Sequence, residues 1–121
     1  MEEPHRLKPV VWIGSSRKDM KSFPDDVQRA IGFALYQAQV GGKALSAKPF
    51  SGFGSASVLE IVQDYDSDTF RVVYTVKFGE CVYVLHAFQK KSKRGNTTPK
   101  PDLALIRTRL KTAEDNYNRR G

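Results

Sequence analysis

The chain has 121 residues and carries 20 lysines and arginines against 13 aspartates and glutamates, a formal net charge of +7. Its hydrophobic share of 40% is ordinary for a folded globular protein, and this length suits one core, so we expect a single domain over residues 1–121. An apolar run of about 20 residues is missing, and the acidic N-terminus MEEPHRLKPV does not resemble a signal peptide. We therefore expect a cytoplasmic protein without a membrane-spanning segment.

The first predicted elements are a strand and two helices. Residues 10–13 form a short apolar β-prone run that ends at Gly14. Residues 17–23 are predicted as a short helix, and Pro24 suits the start of a second helix over residues 25–40. The second helix carries one apolar stripe, made of Val27, Ala30, Ile31, Ala34, Leu35 and Ala38.

Three strands are predicted next, after a loop over residues 43–57 that is rich in glycine, serine and proline. They cover residues 58–65, 70–78 and 81–89, joined by a polar turn at 66–68 and a two-residue connection at Gly79 and Glu80. Alternation puts Arg71 on the face opposite Phe70, and it groups four residues of the last strand on one face: Val82, Val84, His86 and Phe88.

A final helix is predicted over residues 100–116, with Leu103, Ile106 and Leu110 inward and a frayed tail at 117–121. The element order β-α-α-β-β-β-α indicates an α+β fold. We expect an N-terminal strand and a helix hairpin packed on a mainly antiparallel sheet, with a C-terminal helix.

The net charge comes entirely from the last third of the chain. Residues 1–80 hold ten basic and ten acidic residues, whereas residues 81–121 hold ten basic and three acidic ones. Four of the cations follow the last strand directly: Lys90, Lys91, Lys93 and Arg94. A strand that ends in clustered cations predicts a surface for a polyanion, with nucleic acid as the leading partner.

Two side chains within the strands leave alternatives open. Arg71 is either a solvated cation on an open sheet face or a guanidinium that clamps phosphate, whose oxygens match its fork of donors. His86 is either a hydrogen-bonded structural histidine or a general acid or base. We expect Tyr74 and Tyr83 to be core or sheet-edge rings and Cys81, the one cysteine, to be a buried inert thiol. With only two histidines, a His-based metal site is not predicted.

Six segments match the pattern of a known family: KPF (48–50), GFG (52–54), VLEI (58–61), FRVVYTV (70–76), YVLHAFQKKSK (83–93) and TPK (98–100). They resemble the phage Gp49-like branch of the HigB toxins, within the RelE/ParE toxin superfamily. The similarity runs from Trp12 to about Leu110. HAFQKKS at the end of the last strand is its most specific part.

The resemblance implies a RelE-like toxin of a type II toxin–antitoxin system. Such a toxin is a ribosome-dependent endoribonuclease that cleaves mRNA, inhibits translation, needs neither metal nor cofactor, and is neutralised by a helix-turn-helix antitoxin. The ribose 2′-hydroxyl attacks the adjacent phosphate while basic side chains stabilise the transition state. The superfamily also contains gyrase inhibitors, so the alternative is a non-catalytic binding or inhibitory module of the same fold, directed at a ribosome or gyrase-type target.

Site residues follow from the same resemblance. Arg71 matches an arginine implicated in transition-state stabilisation, and Lys90 and Lys91 match a strand end implicated in phosphate binding and proton transfer. His86 is a candidate acid or base. Three further cations would hold the RNA: Lys48, Lys93 and Arg94. Many relatives have Glu-Leu-Arg on the preceding strand, whereas this chain has Glu60-Ile61-Val62, so that strand lacks the cation.

Overall fold

Five strands and three helices form the described part of the chain. The computed structural model describes residues 7–42, 44, 46–53, 57–90 and 98–120, with the backbone alone at Lys90. In chain order the elements are β1 (Val10–Trp12), α1 (Ser16–Lys21), α2 (Asp25–Gln39), β2 (Ala47–Pro49), β3 (Val58–Tyr65), β4 (Asp68–Thr75), β5 (Val82–Lys90) and α3 (Lys100–Arg120). Within these ranges, none of the helices is long and apolar enough to cross a lipid bilayer.

The strands form one mixed sheet in the order β1-β5-β4-β3-β2. Strands β3, β4 and β5 form an antiparallel meander, β2 is antiparallel to β3, and β1 runs parallel to β5. The predicted α+β class is confirmed, including the N-terminal strand, the helix pair and the C-terminal helix. Asp66 and Ser67 connect β3 to β4 with φ of 50° and 71°, the paired positive values of a type I′ hairpin turn.

Helices α1 and α2 cover one face of the sheet. The predicted stripe of α2 is buried, apart from the half-buried Ala30, and it lies in one core cluster with inward side chains of all five strands. Each fully buried aliphatic side chain contributes about 1.5–3 kcal/mol, so this interface is a main source of stability. Just beyond α2, Gly41 takes φ of 90°, which suits glycine after a helix end.

Helix α3 covers the opposite face, where Ile106 and Ala113 are fully buried in a second cluster. The helix continues to Arg120, so the predicted frayed tail is wrong. Tertiary contacts explain the extra turn, since the ring of Tyr117 stacks on Phe78 with centroids 5.3 Å apart. The two faces of the sheet therefore have separate cores.

Two other sequence predictions are wrong because non-local pairing overrides local preference. The predicted loop 43–57 contains β2, which pairs with β3 at the sheet edge, where Pro49 is tolerated. The strand predicted over residues 70–78 ends at Thr75, and residues 76–81 connect it to β5 in place of a two-residue turn.

A β-bulge changes the facing of β5. Val73 pairs with His86 while the next residue, Tyr74, pairs with Val84, so Leu85 is the extra residue. Val82 and Val84 consequently pack on the α2 side, whereas His86 and Phe88 contact the α3 side. The prediction that these four residues share one face is wrong.

Candidate functional site

Strand register gathers the candidate side chains of β2 to β5 on the α3 face of the sheet. Lys48, Glu60, Val73 and His86 are successive pairing partners across the four strands, and direct partners point to the same side. Arg71 lies two residues before Val73 on β4 and shares its face. The structure therefore brings together three residues that were separate candidates in the sequence.

Glu60 pairs with two cations on this face. Its Oε2 accepts a hydrogen bond from Nη1 of Arg71 at 3.0 Å, and its Oε1 lies 3.6 Å from Nζ of Lys48. Glu60 and Arg71 are both 5% exposed, while the Lys48 side chain is 53% exposed. We call these three residues the Glu60 cluster. It joins a buried ion pair to a cation that reaches solvent.

The guanidinium of Arg71 has one hydrogen-bond donor without a partner among the described residues. Its Nε is buried and has no acceptor among the residues that the structure describes. An unpaired buried donor costs about 1–3 kcal/mol, so an anionic oxygen placed there would recover energy. The alternative of a solvated Arg71 is excluded by its burial, and the alternative of an anion-binding guanidinium stays a prediction.

His86 is held at both ring nitrogens by α3. Its Nε2 is 2.7 Å from Oδ1 of Asp102, and its Nδ1 is 3.5 Å from Nη1 of Arg109. A guanidinium only donates, so Nδ1 accepts and Nε2–H donates to Asp102 in the neutral ring. The ring also stacks on Phe88, with centroids 4.7 Å apart. This geometry has the features of a hydrogen-bonded structural histidine, and the acid–base role stays a prediction.

Arg109 ties α3 to β5 and to the turn before α1. It donates to the carbonyl of Leu85, the bulge residue, and to Oγ of Ser15, each at 3.0 Å. Gly14 permits this approach, because a Cβ there would lie 2.7 Å from Nε of Arg109. The position of α3 over the face, and of His86 beneath it, depends on these contacts.

The basic strand end is only partly covered by the structure. Lys90 is the last residue of β5 and pairs with Thr69 at the start of β4. Lys91, Lys93 and Arg94 lie outside the described residues. Their predicted roles in catalysis and RNA binding stay predictions.

Tyr74 and Tyr83 are fully buried, which confirms them as core rings and removes them as surfaces for base stacking. Burial raises the pKa of Tyr74 to about 12. Burial, followed by the neighbouring Cys81, raises the pKa of Tyr83, whose hydroxyl donates to Asn116 at 2.8 Å. Cys81 is buried as expected. These hydroxyls remain protonated at neutral pH.

Sequence reasoning missed Glu60, Asp102 and Arg109. A signal for Glu60 was present, since an acidic residue amid the apolar letters VLEIV is seldom buried without a partner. Asp102 and Arg109 had no such signal, because their partners are on other elements. Within the described ranges, no three side chains of His, Cys, Asp or Glu are grouped as metal ligands. Two of the three candidate side chains that the structure describes on this face, Lys48 and Arg71, are cations, and the third is His86.

Comparison of the sequence with models of known protein families identifies the family of this chain. The model of the family described as phage-derived protein Gp49-like (DUF891) matches residues 18–111, which include the whole Glu60 cluster and His86. The chain belongs to the Gp49-like family. This confirms the resemblance drawn from the six segments, and the cluster lies inside the range that the family model matches.

Other comparisons with this Gp49-like chain are distant. Among curated proteins, none matches it. Among solved structures, the toxin–antitoxin complex RelBE2 from Mycobacterium tuberculosis is similar at a TM-score of 0.49 and 13% identity, over 75% of this chain and 100% of that chain. That likeness is too distant to carry an argument about activity.

Proposed function

We propose that this Gp49-like protein is the toxin of a type II toxin–antitoxin pair and that it cleaves ribosome-bound mRNA in the cytoplasm without a metal. The supporting observation is the Glu60 cluster, in which a buried arginine with a spare donor lies beside an exposed lysine. Such an arrangement suits a phosphodiester, whose charge grows in the transition state. The implied partners are mRNA on the ribosome and a helix-turn-helix antitoxin.

The proposed reaction is an internal transfer within the RNA. The ribose 2′-oxygen bonds to the adjacent phosphorus as its proton leaves to a base, and the bond to the 5′-oxygen breaks as that oxygen gains a proton. The products are a 2′,3′-cyclic phosphate and a 5′-hydroxyl. Arg71 donates to the non-bridging oxygens, where negative charge increases, and Lys48 binds a neighbouring phosphate.

Glu60 acts as a positioning residue in this scheme. By holding Nη1 of Arg71 at 3.0 Å, it fixes the guanidinium plane and leaves Nε for another acceptor. A cation held in advance loses little freedom when substrate binds, so its stabilisation acts fully on the transition state.

The remaining predicted residues complete the proposal. Lys90 and Lys91 bind phosphate or transfer protons, and Lys93 and Arg94 hold the RNA. His86 is the candidate acid or base, but either ring nitrogen must first release its present partner, Asp102 or Arg109. We therefore expect replacement of His86 to reduce the cleavage rate less than replacement of Arg71.

The test compares wild type with Arg71→Ala and with the double variant Arg71→Met/Glu60→Leu in cleavage of mRNA on translating ribosomes. The double variant replaces the buried ion pair by apolar side chains of similar volume, which in other proteins is neutral or stabilising. We expect both variants to lose about 10²-fold or more of the cleavage rate, the scale on which one transition-state donor acts.

Folding is checked by urea unfolding of the double variant. If it is folded and cleaves within a few-fold of wild type, Arg71 has no catalytic role. If wild-type protein arrests translation without cleaving mRNA, the enzyme proposal is wrong and the non-catalytic inhibitory module takes its place.

A further inference from the structure

Phe50, Phe53 and Arg107 contact one another in succession, from the α3-side core to the surface. The buried ring of Phe50 contacts the half-buried ring of Phe53, with centroids 5.3 Å apart. The guanidinium carbon of Arg107 on α3 lies 5.4 Å from the centroid of Phe53. This distance is within the range of a cation–π contact. Arg107 is exposed, so its guanidinium contacts Phe53 and also remains accessible to solvent.

Arg107 differs from other cations of the same helix in its partners. Arg109 donates to Ser15 and to Leu85, Lys111 pairs with acidic residues one turn away, and Arg120 donates to Asn116. Within the described ranges, Arg107 has a ring contact but neither a hydrogen bond nor an ion pair. Its five donors share the guanidinium plane, and none has an acceptor in the part of the chain that the structure describes.

Phe50, Phe53 and Arg107 lie next to the Glu60 cluster. Phe50 follows Lys48 by two residues and continues the pairing of β2, since its N–H donates to the carbonyl of Val58 at 2.8 Å. Side chains two apart along a strand lie about 7 Å apart on one face. Phe53 packs with Phe50 on the same α3-side core. Neighbouring side chains thus lead from Lys48 through Phe50 and Phe53 to the exposed guanidinium of Arg107, along the face that carries Arg71.

We infer that Phe53 and Arg107 form a nucleotide-stacking subsite, in which a base of single-stranded RNA lies on the outer plane of the Arg107 guanidinium. Unstacked bases pack on aromatic rings and on arginine planes, because every base has a π-face. Phe53 holds the guanidinium flat from behind, and the free donors point to the sugar–phosphate backbone of the same nucleotide. The inference rests on the proposed function for the identity of its ligand.

The test measures binding, which keeps it separate from cleavage. The probe is a labelled ten-nucleotide RNA, 2′-O-methylated throughout so that the attacking hydroxyl is blocked. In a set of ten such probes, each base in turn is replaced by an abasic site, and binding is followed by fluorescence anisotropy at fixed salt. For wild type we expect one position at which base removal weakens binding about five-fold or more, as loss of one stacked base does.

The decisive variant is Arg107→Lys, which keeps the charge but removes the plane. We expect the abasic penalty at that position to fall below about two-fold, and Phe53→Leu, which keeps the core filled but removes the ring, to act in the same direction. Arg119→Lys is the matched control, because Arg119 is an exposed arginine of the same helix without a ring contact in the described residues. It should retain the full penalty.

The outcomes separate this inference from the proposed function. If wild type cleaves mRNA but Arg107→Lys keeps the abasic penalty, or if wild type shows no abasic penalty or binds none of the probes, the subsite is wrong and the enzyme proposal is unaffected. If the penalty depends on Arg107 but ribosome-bound mRNA is never cleaved, the subsite holds and the enzyme proposal fails.

Discussion

Burial determines what each charged residue contributes. The pair Arg29 and Asp26 is 75% and 66% exposed, and such pairs contribute at most about 1 kcal/mol. Breaking a buried pair such as Arg71 and Glu60 costs about 3–5 kcal/mol, yet apolar residues of similar volume often replace one without loss. Stability alone therefore does not explain why β3 and β4 carry these charges. The proposed function assigns Arg71 a role in the reaction, and Lys48 extends the same charge cluster to solvent.

Tyr74 provides a pH-dependent prediction at the same scale. Its hydroxyl is buried without a partner among the described residues, and burial raises its pKa to about 12 from 10. The folded state thus keeps the proton that the unfolded state loses between pH 10 and pH 12. The free energy of unfolding should fall across this window by about 2–3 kcal/mol on account of Tyr74.

The measurement is urea unfolding of wild type and Tyr74→Phe at pH 8 and pH 11.5. We expect near-equal stability at pH 8, since the unpaired hydroxyl gains little there, and a smaller alkaline loss for the variant. Tyr83→Phe is the contrast, because it removes a hydrogen bond to Asn116 and should cost about 1 kcal/mol already at pH 8. Equal alkaline losses for wild type and Tyr74→Phe would contradict the assignment.

Among the elements, β5 and α3 determine the geometry of the site together. The bulge at Leu85 turns His86 toward α3, and Asp102 and Arg109 hold the ring from both sides. Arg109 also reaches the turn between β1 and α1 through Ser15. Helix α3 is thereby fixed to β5 and to the turn before α1.

Gly14→Ala tests this attachment of α3. Gly14 has φ of 58°, and a Cβ would lie 2.7 Å from Nε of Arg109, so the substitution both strains the backbone and displaces the guanidinium. We expect a loss of about 2–3 kcal/mol in urea unfolding, of which strain alone accounts for about 1–2 kcal/mol. In an Arg109→Ala background only the strain should remain.

Gly41→Ala is the matched control, since Gly41 has φ of 90° but nothing within 4 Å of its Cβ position. It should lose the same free energy with and without Arg109. If Gly14→Ala costs equally in both backgrounds, the contact with Arg109 is not what holds α3 in place.

For the whole molecule, the uneven charge is the dominant property. The net +7 derives from residues 81–121, and the Glu60 cluster adds an exposed Lys48 on the α3 face. Binding of single-stranded RNA should therefore weaken with salt, with a slope of log affinity against log salt of about −0.7 for each phosphate neutralised. Lys48→Ala should make the slope less steep by about one phosphate.

Titration of a non-cleavable RNA between about 50 and 200 mM salt measures the slope. Lys111→Ala is a suitable control, because Lys111 is an exposed lysine of α3 that pairs with Glu114 of the same helix and has no contact with the Glu60 cluster in the described residues. A slope near zero for wild type would overturn the polyanion-binding interpretation of the charge asymmetry.

The sequence by itself determined the elements whose signals are local. The stripe of α2, the three strands of the meander and the polar turn at Asp66 follow from periodicity and turn chemistry, and the structure confirms them. The family was also readable, because each of the six segments is a continuous run of residues in the sequence. The charge asymmetry needed no structure at all.

Only the tertiary structure decided the facing of His86, the strand β2, the last turn of α3 and the partners of Arg71. Each depends on residues that are distant in the sequence. Leu85 forms a bulge against β4, and β2 pairs with β3. Tyr117 stacks on Phe78, and Glu60 of β3 accepts a hydrogen bond from Arg71 of the neighbouring strand β4. Local sequence preferences for helix, strand and turn do not predict pairings between distant residues. A cation that the sequence presents as solvated, Arg71, is thus buried beside Glu60 once its neighbours are in place, with its Nε unpaired among the described residues.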